Sequence, residues 1–319
     1  MIDNYNRNID YLRISVTDLC NLRCRYCMPE RGVNKRDHHE ILSIEEIVEI
    51  TRAAADAGIK KVRITGGEPL VRRGILDLCR GISEIEGITE LAITTNGTLL
   101  EEAAEGLKNA GVDRVNISID TLDAGKYAHM TRGGDLSKVL GGIKAAGEAG
   151  LTPLKLNAVL IGGFNDNEIT DFVDLTRYQN IDVRFIELMP IGEGAPFWER
   201  GYLPNSTVLE KVPELVPVEN VGKGVARMFK IPEALGRVGL INPISSHFCM
   251  ECNRLRLTAD GMLKPCLHSC AEIPVRGLKG AEMKAAIEKA AEVKPMNRGD
   301  DLSALHPSGA GRSMNQIGG

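Results

Sequence analysis

The chain has 319 residues, 43% of them apolar, and 39 basic against 43 acidic side chains leave a formal net charge of −4. That is the composition of a folded globular protein, long enough for one large barrel-type domain or two ordinary ones. Its slight negative balance argues against a nucleic-acid coat or a membrane-surface protein, so any anion site has to be local.

The N-terminus, "MIDNYNRNID", lacks an apolar signal core, and no run of about 18 apolar residues is present to span a bilayer. A soluble, cytoplasmic protein with no nucleic-acid or membrane partner is the expectation. From residue 11 to 189 one unit recurs: a short β-rich run, a turn, then an amphipathic helical pattern. The runs are "YLRISVT" (11–17), "KKVRITG" (60–66), "ELAITTNG" (90–97), "RVNISID" (114–120), "PLKLNAVL" (153–160) and "DVRFIELM" (182–189). Ser43 with Glu46 three residues later predicts a capped helix start, and Asn165 with Glu168 predicts another.

Six strand-helix units in series call for a parallel sheet, because each parallel connection needs a crossover. Fully covered parallel strands read as continuous apolar runs, but these alternate. Arg13, Ser15 and Thr17 oppose Leu12, Ile14 and Val16; Lys61, Arg63 and Thr65 oppose Val62 and Ile64. Asn116, Ser118 and Asp120 share one face of the fourth run, as do Lys155 and Asn157 of the fifth. A polar face repeated over several strands predicts a wet concave interior, that is, an incomplete (βα)6 TIM-like barrel, an α/β fold, rather than a doubly wound sheet. In such barrels, ligands sit at the carboxyl ends of the strands. After residue 190 the pattern turns to Gly- and Pro-punctuated segments, which predicts a barrel over 1–190 and a distinct region over 191–319, a C-terminal capping region by the family resemblance given below.

Of the eight cysteines, six fall into two tight groups, Cys20, Cys24 and Cys27, and Cys249, Cys252 and Cys266. In a long chain without a secretion signal this grouping points to metal ligation rather than disulfides. Cys79 reads as a buried small hydrophobe. The first group is C-x3-C-x2-C, directly after the first strand. It is either a zinc site completed by a distant ligand, or a cubane iron-sulfur cluster with one iron left open to act as a reagent. "GGEPL" (66–70) follows the second strand, where glycine permits close backbone approach and Glu68 offers an acceptor to an ammonium. The second group is C-x2-C-x13-C with "NRLRL" beside it. It reads as a zinc ribbon if Cys270 is the fourth ligand and as a second open cluster otherwise, with Cys270 and His268 both near enough in sequence to donate a fourth ligand to that cluster. His38, His39, His129, His247 and His306 have no ligand spacing.

The triplet with Tyr26 before its last cysteine, followed by GGEP, resembles the radical S-adenosylmethionine superfamily. Two three-cysteine groups, NRLRL and a terminal Gly-Gly together resemble its GTP 3′,8-cyclase family, and the likeness runs nearly end to end. That resemblance implies a lyase making the first intermediate of molybdenum-cofactor biosynthesis from GTP, with two [4Fe-4S] clusters and S-adenosylmethionine as cofactors. It further implies that Cys20, Cys24 and Cys27 hold the first cluster, and that Cys249, Cys252 and Cys266 hold the second. Tyr26, Gly67, Glu68, Ser118 and Met189 would contact S-adenosylmethionine. Arg13, Arg63, Thr94, Lys155, Arg254, Leu255 and Arg256 would contact GTP, and Arg254, Arg256, Gly318 and Gly319 would be catalytic. Lys61 and Arg184 are weaker phosphate candidates. A homodimer, an external electron donor and a downstream pyranopterin monophosphate synthase are implied as well. The rival readings are a peptide-modifying radical enzyme with an auxiliary cluster and a non-catalytic redox or zinc protein.

Overall fold

The structure is a computed structural model that describes residues 1–219, 224–297 and 312–318. The six expected runs form strands β1 (Tyr11–Ser15), β2 (Lys61–Thr65), β3 (Glu90–Thr95), β4 (Arg114–Ser118), β5 (Leu154–Leu160) and β6 (Ile181–Glu187). The crossovers are α1 (Ile44–Asp56), α2 (Ile75–Ser83), α3 (Leu100–Asn109), α4 (Ala124–Thr131), α5 (Leu136–Glu148) and α6 (Ile169–Tyr178). Two short helices follow, α7 (Ala195–Gly201) and α8 (Ser206–Lys211), then strands β7 (Val216–Pro217), β8 (Arg227–Lys230), β9 (Arg237–Ile241), β10 (Arg254–Leu257), β11 (Met262–Lys264) and β12 (Ile273–Pro274). Helix α9 (Gly280–Glu292) and the single turn α10 (Met314–Ile317) come last.

These strands make one open sheet in the order β12-β11-β10-β1-β2-β3-β4-β5-β6-β9-β8-β7. Strands β1 to β6 are parallel and sequential, the signature of an incomplete barrel. The later part of the chain supplies both outer edges: β10 lies parallel to β1, and β9 parallel to β6. The apolar alternates of the strands, such as Leu12, Ile14, Val62 and Ile64, are buried in one core with Ile47 and Ile50 of α1 and Leu78 and Ile82 of α2. Each such fully buried aliphatic side chain contributes about 1.5–3 kcal/mol.

The capping box at α1 forms as the sequence predicts, with Ser43 accepting from the Glu46 amide at 3.1 Å and Glu46 accepting from the Ser43 amide at 2.7 Å. The one expected at Asn165 does not. Asn165 instead donates to the carbonyls of Asp120 and Val159, and Glu168 accepts from Thr121, Leu122 and Lys126. Both side chains are instead taken up by polar groups of the loops that follow β4 and β5 and by Lys126.

Candidate active site

The polar alternates of the strands face a cavity of about 740 Å3, within the range usual for small-molecule sites. Strand register lines its charges up. Arg13 of β1 pairs with Arg63 of β2 on one side and with Arg256 of β10 on the other, so three arginines stand side by side. Two residues earlier, Tyr11 pairs with Arg254 and Lys61, while Lys155 lies beside Asn116 of β4 and Asp182 of β6. Like charges opposite one another on a sheet are destabilising. Burial, and then the neighbouring cations, push the Arg13 guanidinium well below its ordinary range and Arg256 down to about 10. Burial followed by Arg184 and Arg114 brings Lys155 down to about 7. The Nε of Arg63, Nε of Arg184, Oγ1 of Thr94, Oγ of Ser15 and phenol of Tyr11 are buried without a hydrogen-bond partner. A crowd of buried cations and unsatisfied polar atoms suits a polyanionic ligand.

The two cysteine groups open into the same cavity from opposite ends. Cys20, Cys24 and Cys27 follow the carboxyl end of β1, as the sequence expectation of strand-end ligands requires. Cys252 comes just before the amino end of β10, whose first residue, Arg254, pairs with the first residue of β1. Five-residue strands separate the two levels, roughly 15 Å at about 3.3 Å per residue. The second group therefore lies at the other end of the strands from the first.

The first loop is gripped from three sides. The amides of Gly67 and Glu68 donate to the carbonyls of Thr17 and Leu19 at 2.7 and 2.8 Å. A Cβ on Gly67 would lie 2.4 Å from the Leu19 oxygen, which is why that position has to be glycine. The amides of Arg23 and Arg25 donate to Thr131 and Met130 at the end of α4. Asn96, in the "TTNG" turn, donates to the Cys20 sulfur at 3.7 Å, a ligand-side contact that the sequence reading did not assign.

Glu68 sits elsewhere than expected. It is fully buried, and its carboxylate accepts from Leu70, Thr95 and Asn96 at 2.7–3.0 Å, leaving it no surface on the cavity. Burial raises it to about 7, against those hydrogen bonds. The Leu255 side chain is likewise turned away from the cavity. At 1% exposure it lies in the core, on the opposite face of β10 from Arg254 and Arg256, because strand side chains alternate. Tyr26, Gly67, Thr94, Ser118 and Met189 all line the cavity, and the Tyr26 hydroxyl donates to Asp120 at 2.7 Å. Gly318 packs against Thr65 and Ser15, and its carbonyl accepts from Arg256 at 2.7 Å. Gly319 and His306 lie outside the described residues.

None of the eight cysteines, all of them among the described residues, forms a disulfide. In the first group burial, and then the other thiols and Asp120, drive the acidities down: Cys24 is raised well above its ordinary value and Cys27 to about 12. Three buried thiols that resist joint ionisation fit a site whose positive charge arrives with the metal. Among the described residues no three His, Cys, Asp or Glu converge on a point where a single ion would sit; a cubane takes one ligand per iron, which suits a loop of spaced thiols. In the second group, burial raises Cys252, but Lys294 and Arg254 outweigh it and bring the thiol down to about 7. Cys270 is exposed and does not line the cavity, whereas His268 does.

Residues 14–176 match the radical SAM superfamily, and residues 181–299 match the Molybdenum Cofactor Synthesis C family. Over its full length the chain is 53% identical to the GTP 3′,8-cyclase of Alkaliphilus oremlandii and 51% identical to that of Alkaliphilus metalliredigens, each covered in full. The chain belongs to the GTP 3′,8-cyclase family. Members of that family are radical S-adenosylmethionine lyases with iron-sulfur clusters, so the zinc reading of the cysteine groups gives way. Among solved structures, Streptococcus suis SuiB bound to the precursor peptide SuiA aligns with a TM-score of 0.64 at 17% identity, covering 92% of this chain and 66% of that one. At that identity the likeness is one of fold. Among the described residues no helix is long and apolar enough to cross a membrane.

Proposed function

We propose that this chain converts GTP to (8S)-3′,8-cyclo-7,8-dihydroguanosine 5′-triphosphate, the first step of molybdenum-cofactor biosynthesis, within the cavity that runs through the barrel. The observation that carries this reading is the row of Arg256, Arg13 and Arg63 between two cysteine groups. An anion held on that row has one cluster site on each side of it.

When bound, the first cluster, on Cys20, Cys24 and Cys27, supplies the electron that splits S-adenosylmethionine, and the second, on Cys249, Cys252 and Cys266, supplies an open iron for the guanine edge. The chain's own residues bind, orient and exclude water. Arg13, Arg63, Lys155, Arg254 and Arg256 take the triphosphate, arginine offering a fork that matches phosphate oxygens. Arg184 and Lys61 line the same wall. Thr94 has a hydroxyl to spare for GTP. Gly67, Tyr26, Ser118 and Met189 surround the place of S-adenosylmethionine, with Glu68 acting through the turn that it fixes. Gly318 holds Arg256 by its carbonyl, and Gly319, the next residue in sequence, shares the catalytic role in this reading. The reading includes a cytoplasmic homodimer, an external low-potential electron donor and delivery of product to pyranopterin monophosphate synthase.

Anaerobic reconstitution tests it. About eight irons per chain, two cubanes of four, and 5′-deoxyadenosine release that depends on GTP are expected. Zinc in the second site, or cofactor cleavage indifferent to GTP, would overturn the reading.

A further inference from the structure

Three cations brace the loops of the second cysteine group. Arg7 donates to the carbonyls of Cys249, Lys294 and Pro295, and Asp3 neutralises it at 2.6 Å. Lys264 donates to the Ser269 carbonyl and pairs with Glu272 at 3.0 Å. Lys294 differs. It is 2% exposed, and its ammonium donates to the carbonyls of Arg254 at 2.8 Å and Pro265 at 2.7 Å. No carboxylate among the described residues pairs with it.

Arg254 follows Cys252 by two residues and Pro265 precedes Cys266, so one ammonium ties two arms of the group together. A buried ammonium whose partners are two neutral carbonyls and the Cys252 thiol is costly unless an anion lies near. A cubane on three thiolates is such an anion, carrying about one net negative charge oxidised and about two reduced.

We propose that Lys294 is the counter-charge of the second cluster: it holds the Cys252 and Cys266 arms together and favours the reduced, more negative state. The proposal rests on the reading that Cys249, Cys252 and Cys266 carry iron and sulfide. Lys294 is a positioning residue, acting through the ligand loops and the cluster's charge.

The experiment is a redox titration of reconstituted full-length holoenzyme followed by electron paramagnetic resonance, with S-adenosylmethionine added to mark the signal of the first cluster. Lys294→Arg, Lys294→Gln and Lys294→Met are compared with the unaltered chain. Lys294→Gln and Lys294→Met are expected to lower the second cluster's reduced-to-oxidised ratio at fixed poise about tenfold, ~59 mV for a one-electron couple, while Lys294→Arg stays near the original. Retention of both clusters by Lys294→Arg, with only one kept by the neutral variants, would equally support a charge role. An unchanged midpoint in the neutral variants, or loss of the second cluster in all three variants alike, would overturn it. An unaltered chain with about four irons would instead refute the cluster reading itself, so the two failures are distinct.

Discussion

Lys155 shows what a polar strand face does to a cation whose partner is a ligand. Its neighbour across β5 and β6 is Asp182, but both carboxylate oxygens of Asp182 are engaged by Arg237 at 2.9–3.0 Å. Burial first, then Arg184 and Arg114, hold the ammonium at about 7. The unfolded chain keeps this proton up to about 10.4, so between the two values it binds more protons than the folded chain. Stability attributable to Lys155 therefore rises with pH across that window, and the charged site is a cost at neutral pH. A bound triphosphate favours the ammonium and raises its value again. GTP binding at pH 8 should thus take up a proton, and affinity should fall as pH rises from 7 to 9. Calorimetry in buffers of different ionisation enthalpy measures this. Lys155→Ala should abolish the uptake and weaken binding by about tenfold, near 1.4 kcal/mol, and Lys155→Arg should keep affinity without the uptake. At this scale chemistry was more readily legible than direction. Arg13, Arg63 and Lys155 were legible from strand parity. The same alternation turns Leu255 away from Arg254 and Arg256, whereas the fate of Glu68 depended on one donor in its own turn, Leu70, and two from the TTNG turn, Thr95 and Asn96.

Elements were legible where the signal was local. The capping box at Ser43 concerns one turn of chain and forms as read, whereas the fates of Asn165 and Glu168 were decided by loops up to 47 residues away in sequence. The terminal segment belongs to the second kind. Arg312 anchors it through Glu272 at 2.6 and 2.7 Å and Asp260 at 3.0 Å, α10 starts with a capping box between Ser313 and Gln316, and Asn315 donates to the Asp18 carbonyl. These contacts set Gly318 in a left-handed turn at φ +67°, where an added Cβ would stand 2.1 Å from Thr65 Oγ1. No side chain fits there without shifting the tail or the β2 end. Gly318→Ala should therefore unseat α10, remove the carbonyls that hold Arg256, and cut GTP turnover at least tenfold with both clusters intact. Iron content, turnover and the rate of proteolysis after Arg312 report the three parts separately. Full turnover in Gly318→Ala would show that the tail only rests in the site.

Over the whole molecule, the least legible feature was where the second cysteine group lies. Its ligand spacing was visible, but its position depends on β10 pairing with β1, a contact between residues 243 apart (Tyr11 to Arg254), and no local pattern announces which sheet edge a four-residue strand joins. Because β10 runs parallel to β1, the group that precedes it falls at the amino end of the barrel, opposite the group that follows β1. The sheet thus turns two loops of similar composition into the two ends of one cavity, with the cation row between them. Their supports are also separate: Gly67, Asn96 and the end of α4 hold the first loop, while Arg7 and Lys294 hold the second. Replacing Cys249, Cys252 and Cys266 together with alanine should therefore remove about four irons of eight and leave the first cluster in place. Addition of S-adenosylmethionine should still alter its paramagnetic resonance spectrum, while GTP conversion disappears. The converse replacement of Cys20, Cys24 and Cys27 should leave the second cluster in place, and GTP should perturb its spectrum. If either triple variant lost both clusters, the two ends would be folding as one unit, and the independence implied by their separate supports would be wrong.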